Sequence, residues 1–145
     1  MSAVDLTRFN AMRFARYIGF EFVEAVDGAS RVQLTVIDDH ANAQGIGHGG
    51  IIPILVDAAG TLAIVSTFDE PEDVRVLTVD LRVNLIGAAR LRSTLTARGD
   101  VVHVGRGTSF SRVEVVDDDG ETIGLGQLTC VARSGGAAQT PSAAG

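Results

Sequence analysis

Between Asn42 and Thr61 the chain reads Asn-Ala-Gln-Gly-Ile-Gly-His-Gly-Gly-Ile-Ile-Pro-Ile-Leu-Val-Asp-Ala-Ala-Gly-Thr: a glycine-rich loop, then an apolar run holding one acid, Asp57. A carboxylate in apolar surroundings is costly unless partners hold it, and groups kept there concentrate at functional sites. Pro53 suits the first turn of a helix, where the N–H it lacks would have had no intrahelical acceptor. With residues 50 to 53 as that turn, the N–H groups of Gly49, Gly50, Ile51 and Ile52 point out of the positive end of the helix dipole. Such donors stabilise an oxygen that gains negative charge, as in an oxyanion hole. One helix would then supply both a carboxylate and free donors, the minimal equipment for attack on a carbonyl carbon. The carboxylate would act as nucleophile or as general base on a water. Positions 53, 57 and 61 share a helical face, so the Thr61 hydroxyl is expected beside the Asp57 carboxylate or a water next to it.

Taken singly, each residue has a plain structural use. Glycines make turns, a buried Asp accepts hydrogen bonds, and His48 suits a helix start. Their convergence within sixteen residues, Asn42 to Asp57, is what favours chemistry.

Asn42, His48-Gly49-Gly50 and Asp57 resemble the signature of hotdog-fold acyl-CoA thioesterases, specifically the PaaI-like, phenylacetate-pathway branch. In that pattern an Asn or Gln stands six residues before the His, and the acid follows the first glycine by eight; both spacings hold here. The resemblance runs from about Phe20 to Ala132. It implies an α+β domain in which a curved antiparallel sheet wraps a long central helix. It also implies thioester hydrolysis without a bound cofactor, at sites formed where two subunits meet, in a homodimer or homotetramer. By the same resemblance the Gly49 N–H holds the carbonyl oxygen and Asp57 is the catalytic carboxylate. His48 and Asn42 shape the loop, with Asn42 placing the carbonyl or the attacking water. Thr78 matches a position from which some members reach across with a hydroxyl. Arg106, in His103-Val-Gly-Arg106, resembles a Gly-Arg element near the pocket mouth and is the first candidate for the CoA phosphates, ahead of Arg82 and Arg90. The acyl group implied is aryl or medium-chain. Two alternatives share the fold. A hydratase or dehydratase resembles a different pattern of His and acid, and a non-catalytic acyl-CoA-binding domain has no use for Asp57.

Composition narrows the rest. The 145 residues suit one domain, and a net charge of −6 argues against nucleic acid as the main partner, since phosphate binding needs a basic face. All twelve basic residues are arginines, which excludes Schiff-base chemistry through lysine and suits bidentate contact with phosphates. The single cysteine, Cys130, sits in a strand-like pattern and reads as a buried core thiol. His40, His48 and His103 lack metal-ligand spacing, so no metal is expected. Met1 to Tyr17 has charges where a leader would have its apolar stretch, and the chain reads as cytoplasmic. The run Gly49 to Phe68 is about as long as a membrane span, but Pro53, Asp57 and its hydroxyls make it a buried helix and not a membrane segment.

The elements that must position these residues follow from periodicity. Leu6, Phe9, Met12, Phe14, Ala15 and Tyr17 predict a short N-terminal helix that packs on the domain or covers the ligand. Strands are expected at 20–26 and 31–37 around Asp27-Gly28, then a helix over 50–67, apolar on nearly every side. Further strands are expected at 74–85, 91–97, 105–116 and 122–132, the first alternating strictly. The domain is drawn as residues 1–133, with 134–145 a small, polar, disordered tail.

Overall fold

The computed structural model describes residues 3–135. Two short helices, α1 (Thr7–Asn10) and α2 (Arg13–Ile18), lead into β1 (Phe20–Val26) and β2 (Ala29–Thr35). The long helix α3 (Ile51–Val65) follows, then β3 (Val74–Leu85), β4 (Thr94–Val104), β5 (Ser109–Val116) and β6 (Thr122–Ser134). The six strands form one antiparallel sheet in the order β1-β2-β4-β5-β6-β3. This is the expected α+β layout, with the sheet packed around one apolar helix.

The helix is buried on most of its circumference because strands meet it from several directions. Ile52, Leu55, Val56, Ala59, Leu62 and Ile64 are all nearly inaccessible and pack with Val32, Leu34, Leu95, Val115 and Leu128 of the sheet. Burying each such side chain stabilises by roughly 1.5–3 kcal/mol. Two sheet hydroxyls also grip the helix backbone: Ser30 Oγ donates to the Ala59 carbonyl at 2.6 Å and Ser111 Oγ to the Gly60 carbonyl at 3.1 Å. Close approach is bought with missing side chains. A Cβ at Gly126 would stand 2.3 Å from Val56 Cγ1, and one at Gly99 would stand 2.6 Å from the Ala59 carbonyl oxygen.

Gly99 explains one departure from expectation. The strand expected over 91–97 runs instead from Thr94 to Val104, with Gly99 inside it facing the helix. Strand β2 begins at Ala29 and not Arg31, because Asp27 (φ 47°) and Gly28 (φ 83°) form a two-residue turn that sends the chain straight back. The N-terminal stripe is two helices, broken at Met12, whose ψ of 133° is extended. The strict alternation expected of β3 fails at Val79, where the pairing with β6 slips by one residue. Strand β6 extends through Ser134, so the expected tail does not begin there, and its residues 136–145 lie outside the described residues. Among the described residues, no helix is long and apolar enough to cross a membrane.

Candidate active site

Nearly all of α3 is buried, but Pro53, Ile54, Asp57 and Thr61 remain half-open on one side. That is the i, i+4 face predicted from the sequence, and it borders a groove with two recesses of about 470 and 380 Å³. Asp57 lines both, and among the described residues it is the only charged side chain lining either.

Asp57 is held by Thr78, whose hydroxyl donates to Oδ1 at 2.7 Å. The slip at Val79 makes this contact possible. Thr78 pairs with buried Cys130 and Leu81 with buried Leu128, so both turn inward although they are three residues apart. A bulge re-aims side chains in this way, and bulges recur beside active sites. Thr78 therefore reaches Asp57 of its own chain and does not need to cross from a second subunit. Its hydroxyl also lies 3.7 Å from Cys130 Sγ. Burial pushes the Cys130 thiol up, the Thr78 hydrogen bond draws it partly down, and the Asp57 charge adds to the rise. Asp57 Oδ2 has no partner among the described residues.

Thr61 lies one turn from Asp57 as expected, but its hydroxyl does something else. It donates backwards to the Asp57 carbonyl oxygen at 2.7 Å and to that of Ala58 at 3.2 Å. The expectation that it supports the carboxylate is corrected: a threonine inside a helix finds the preceding turn's carbonyl nearer than any side chain.

The loop before α3 is tied at many points. Asn42 Oδ1 accepts from the N–H groups of Gln44 (2.9 Å) and Ile46 (3.3 Å), and the Asn42 N–H donates to the Ile46 carbonyl. Asn42 thus shapes the loop, and only its amide NH2 is free of partners among the described residues. The His48 N–H donates to the His40 carbonyl at 2.7 Å. Of the four N–H groups expected to be free at the helix start, three are engaged. Gly50 donates to His48 Nδ1 at 2.9 Å, Ile51 to the His48 carbonyl and Ile52 to the Gly49 carbonyl. Gly49 alone has no acceptor among the described residues.

Donor and acid are not together within one chain, contrary to the sequence expectation. Ile51 and Asp57 are six helical residues apart, roughly 9 Å along the axis at the usual rise, and Gly49 precedes Ile51. A single carbonyl needs both groups within about 3 Å of its atoms.

The arginines separate. Arg106 is exposed in the β4–β5 turn and pairs with no carboxylate among the described residues. Arg82 lies 3.3 Å from Asp80. Arg90 is taken up by Asp119 (2.5 Å) and Asp117 (3.4 Å), which leaves it poorly placed to serve a phosphate. Phe9, Met12, Phe14, Phe20 and Phe22 line the recesses opposite α3. The sequence placed Phe9, Met12 and Phe14 in a segment that packs on the domain or covers the ligand, but gave Phe20 and Phe22 no role beyond their strand; the signal was four phenylalanines within the fourteen residues from Phe9 to Phe22.

The family model described as the thioesterase superfamily matches residues 44–123. A Halobacterium salinarum protein designated a candidate esterase is 33% identical over 103 residues, covering 69% of this chain and 67% of its own. Human acyl-coenzyme A thioesterase 13 is 28% identical over 82% of this chain and 84% of its own. The phenylacetic acid degradation protein PaaI of Thermus thermophilus, solved as a point mutant, is 25% identical with a TM-score of 0.73, over 83% of this chain and 98% of that one.

Proposed function

The chain belongs to the thioesterase superfamily, with the hotdog fold in its PaaI-like form, and from that premise we propose how this thioester hydrolase acts on an acyl-CoA. The observation that carries the reading is the Thr78–Asp57 pair, which holds the one charge among the described residues that line a mostly apolar groove. Thr78 fixes Oδ1 and leaves Oδ2 for the chemistry. Oδ2 either deprotonates a water that attacks the thioester carbon or attacks that carbon itself to give an acyl anhydride, which water then opens. In both routes the C–S bond breaks, the sulfur leaves with the bonding pair and takes a proton, and the acid product keeps the oxygen from water.

The carbonyl oxygen needs a donor that the same chain does not bring near. We assign that donor to Gly49 of a second copy. The free edge of β1 is covered: Asn10 clips Phe22, and the Val4 N–H donates to the Ala25 carbonyl. The free edge of β3 is covered by none of the described residues, and Leu77, Val79 and Leu85 stand more than half exposed along it. A second β3 pairing there antiparallel, centred between Leu81 and Arg82, sets Thr78 opposite the partner's Leu85. A Cβ at Gly49 would touch Leu85 Cδ1 at 3.0 Å, so the helix start travels with that end of the strand. Dimerisation in this register supplies each Asp57 with the partner's Gly49 N–H, while His48 and Asn42 hold the loop. A tetramer would pair two such dimers.

The groove's apolar walls support an aryl or medium-chain acyl group, and exposed, unpaired Arg106 is the arginine best suited to the CoA phosphates, with Arg82 next. Residues 1–133 form the catalytic unit in this reading, which is placed in the cytoplasm. The test is a panel of aryl- and alkyl-CoA thioesters followed by thiol release. Hydrolysis of at least one at a rate that Asp57→Asn removes is expected. Absence of turnover with every thioester, in a folded protein, would refute the reading.

A further inference from the structure

The two recesses beside Asp57 share four lining residues: Asp57 and Thr61 on the helix side, Phe22 and Met12 on the other. Three of these are fixed. Asp57 is tied to Thr78, Thr61 to its own helix, and Phe22 is 5% exposed in strand β1. Met12 is different. It is 41% exposed, stands in the break between α1 and α2, and has an unbranched side chain that repacks readily. It is thus the one movable partition between a recess running toward Val65 and Val74 and another running toward Phe14 and Pro53.

Its position is set by the residue two places before it. Asn10 Nδ2 donates to the Phe22 carbonyl at 2.9 Å, and Asn10 Oδ1 accepts from the Phe22 N–H at 2.8 Å. The pairing of β1 with β2 slips between Phe22 and Glu24, and on the strand's other side the Asn10 amide takes the place of a neighbouring strand. Edge-to-face rings continue the attachment, Phe9 on Phe22 at 5.6 Å and Phe22 on Phe20 at 5.5 Å. Among the attachments of the N-terminal helices to the sheet, the Asn10 clip is the one that lies beside the partition.

We propose that Met12 sets the length of acyl group that the groove accepts, and that Asn10 is the positioning residue that holds Met12 in place. This deepens the reading above and rests on it. With Met12 in position, the acyl chain ends in one recess; without it, the two become one longer apolar trough past Asp57. In an apolar pocket one methylene changes kcat/KM by on the order of 10-fold, so moving the partition must show in chain-length preference.

The experiment measures kcat and KM for hexanoyl-, octanoyl-, decanoyl- and dodecanoyl-CoA with the wild type, Met12→Ala, Met12→Trp and Asn10→Ala, each checked by its thermal melt. Met12→Ala is expected to raise the dodecanoyl-to-hexanoyl ratio of kcat/KM by about 10-fold, and Met12→Trp to lower it by a similar factor. Asn10→Ala should flatten the length preference through KM, with kcat within about twofold for the best substrate. A purely structural role for Asn10 would lower the melting temperature and leave the length preference intact; that result removes Asn10 from the proposal. Wild-type hydrolysis with ratios unchanged in both Met12 variants overturns the assignment of Met12 alone. A wild type that hydrolyses none of the four, nor any aryl thioester, overturns the functional reading and this inference together.

Discussion

At Asp57 the two carboxylate oxygens have different surroundings, and the difference makes the proposed chemistry testable atom by atom. Oδ1 accepts from Thr78, and Oδ2 faces the groove without a partner among the described residues. Asp57→Asn keeps the shape and removes the basic oxygen, so kcat should fall by about 100-fold or more with the far-ultraviolet spectrum unchanged. Near-normal turnover in that variant would remove Asp57 from the mechanism. Thr78→Val deletes the hydrogen bond that orients the carboxylate, and a loss of roughly 10-fold in kcat is expected, since one positioning contact is gone while the acid remains. Thr61→Val makes the informative contrast. Its hydroxyl serves backbone carbonyls, so steady-state rates should stay within about twofold of wild type, and a loss as large as that of Thr78→Val would mean its hydroxyl reaches the reaction after all. Cys130 is buried beside Thr78, and that burial pushes its thiol up and disfavours the thiolate a nucleophile would need.

At the scale of elements, the helix sits in the sheet because Gly99 and Gly126 leave room for it, and the consequence is measurable. At Gly126 a methyl group would lie 2.3 Å from Val56 Cγ1, inside a core with no slack. Gly126→Ala should lower unfolding stability by about 1–3 kcal/mol in denaturant titration; an unchanged midpoint would show that the helix can shift outward at no cost. Such close approaches also divide what the sequence could reveal from what it could not. The strands Phe20–Val26 and Val74–Leu85 were legible to the residue, because runs of β-formers are bounded there by Gly19, Asp27-Gly28 and the acidic stretch 69–73. The position of Gly99 inside a strand was not, since a glycine between two charged residues carries the local signature of a turn. The bulge at Val79 was equally hidden: it depends on the register against β6, which periodicity along one strand does not contain. The i, i+4 face of Pro53, Asp57 and Thr61 was readable from helix geometry, but the partner that Thr61 selects was not, because the competing backbone acceptor is invisible in a pattern of side chains. Phe20 and Phe22, opposite the helix, were missed as groove walls for a related reason. They come from segments whose only connection to α3 is through the folded sheet.

At the scale of the molecule, the proposed acid, Asp57, lies in the middle of α3, and the proposed donor, Gly49, lies just before the N-terminal end of the same helix, too far off to serve the same carbonyl. The distance of roughly 9 Å from Ile51 to Asp57 is set by the rise of an α-helix and cannot be closed by side-chain motion. Two copies joined along β3 would place each Asp57 near the partner's Gly49, and sedimentation at micromolar concentration should then show no species as small as the 15.1 kDa chain. Gly49→Val should cost roughly 10- to 1000-fold in kcat/KM, by crowding the one free donor. The sharper experiment mixes that variant with Asp57→Asn after unfolding and refolding them together. If acid and donor belong to one chain, every site in the mixture carries one defect and activity stays at the level of the separate variants. If they come from two chains, a mixed dimer contains one site with both defects and one with neither. Random pairing makes half of the dimers mixed, so about one quarter of wild-type activity should return. Recovery near that fraction requires a composite site, because no arrangement within a single chain can restore a lost carboxylate. A mixture as inactive as its components, with mixed dimers verified by mass, would return the site to one chain and leave the carbonyl oxygen to a donor other than Gly49.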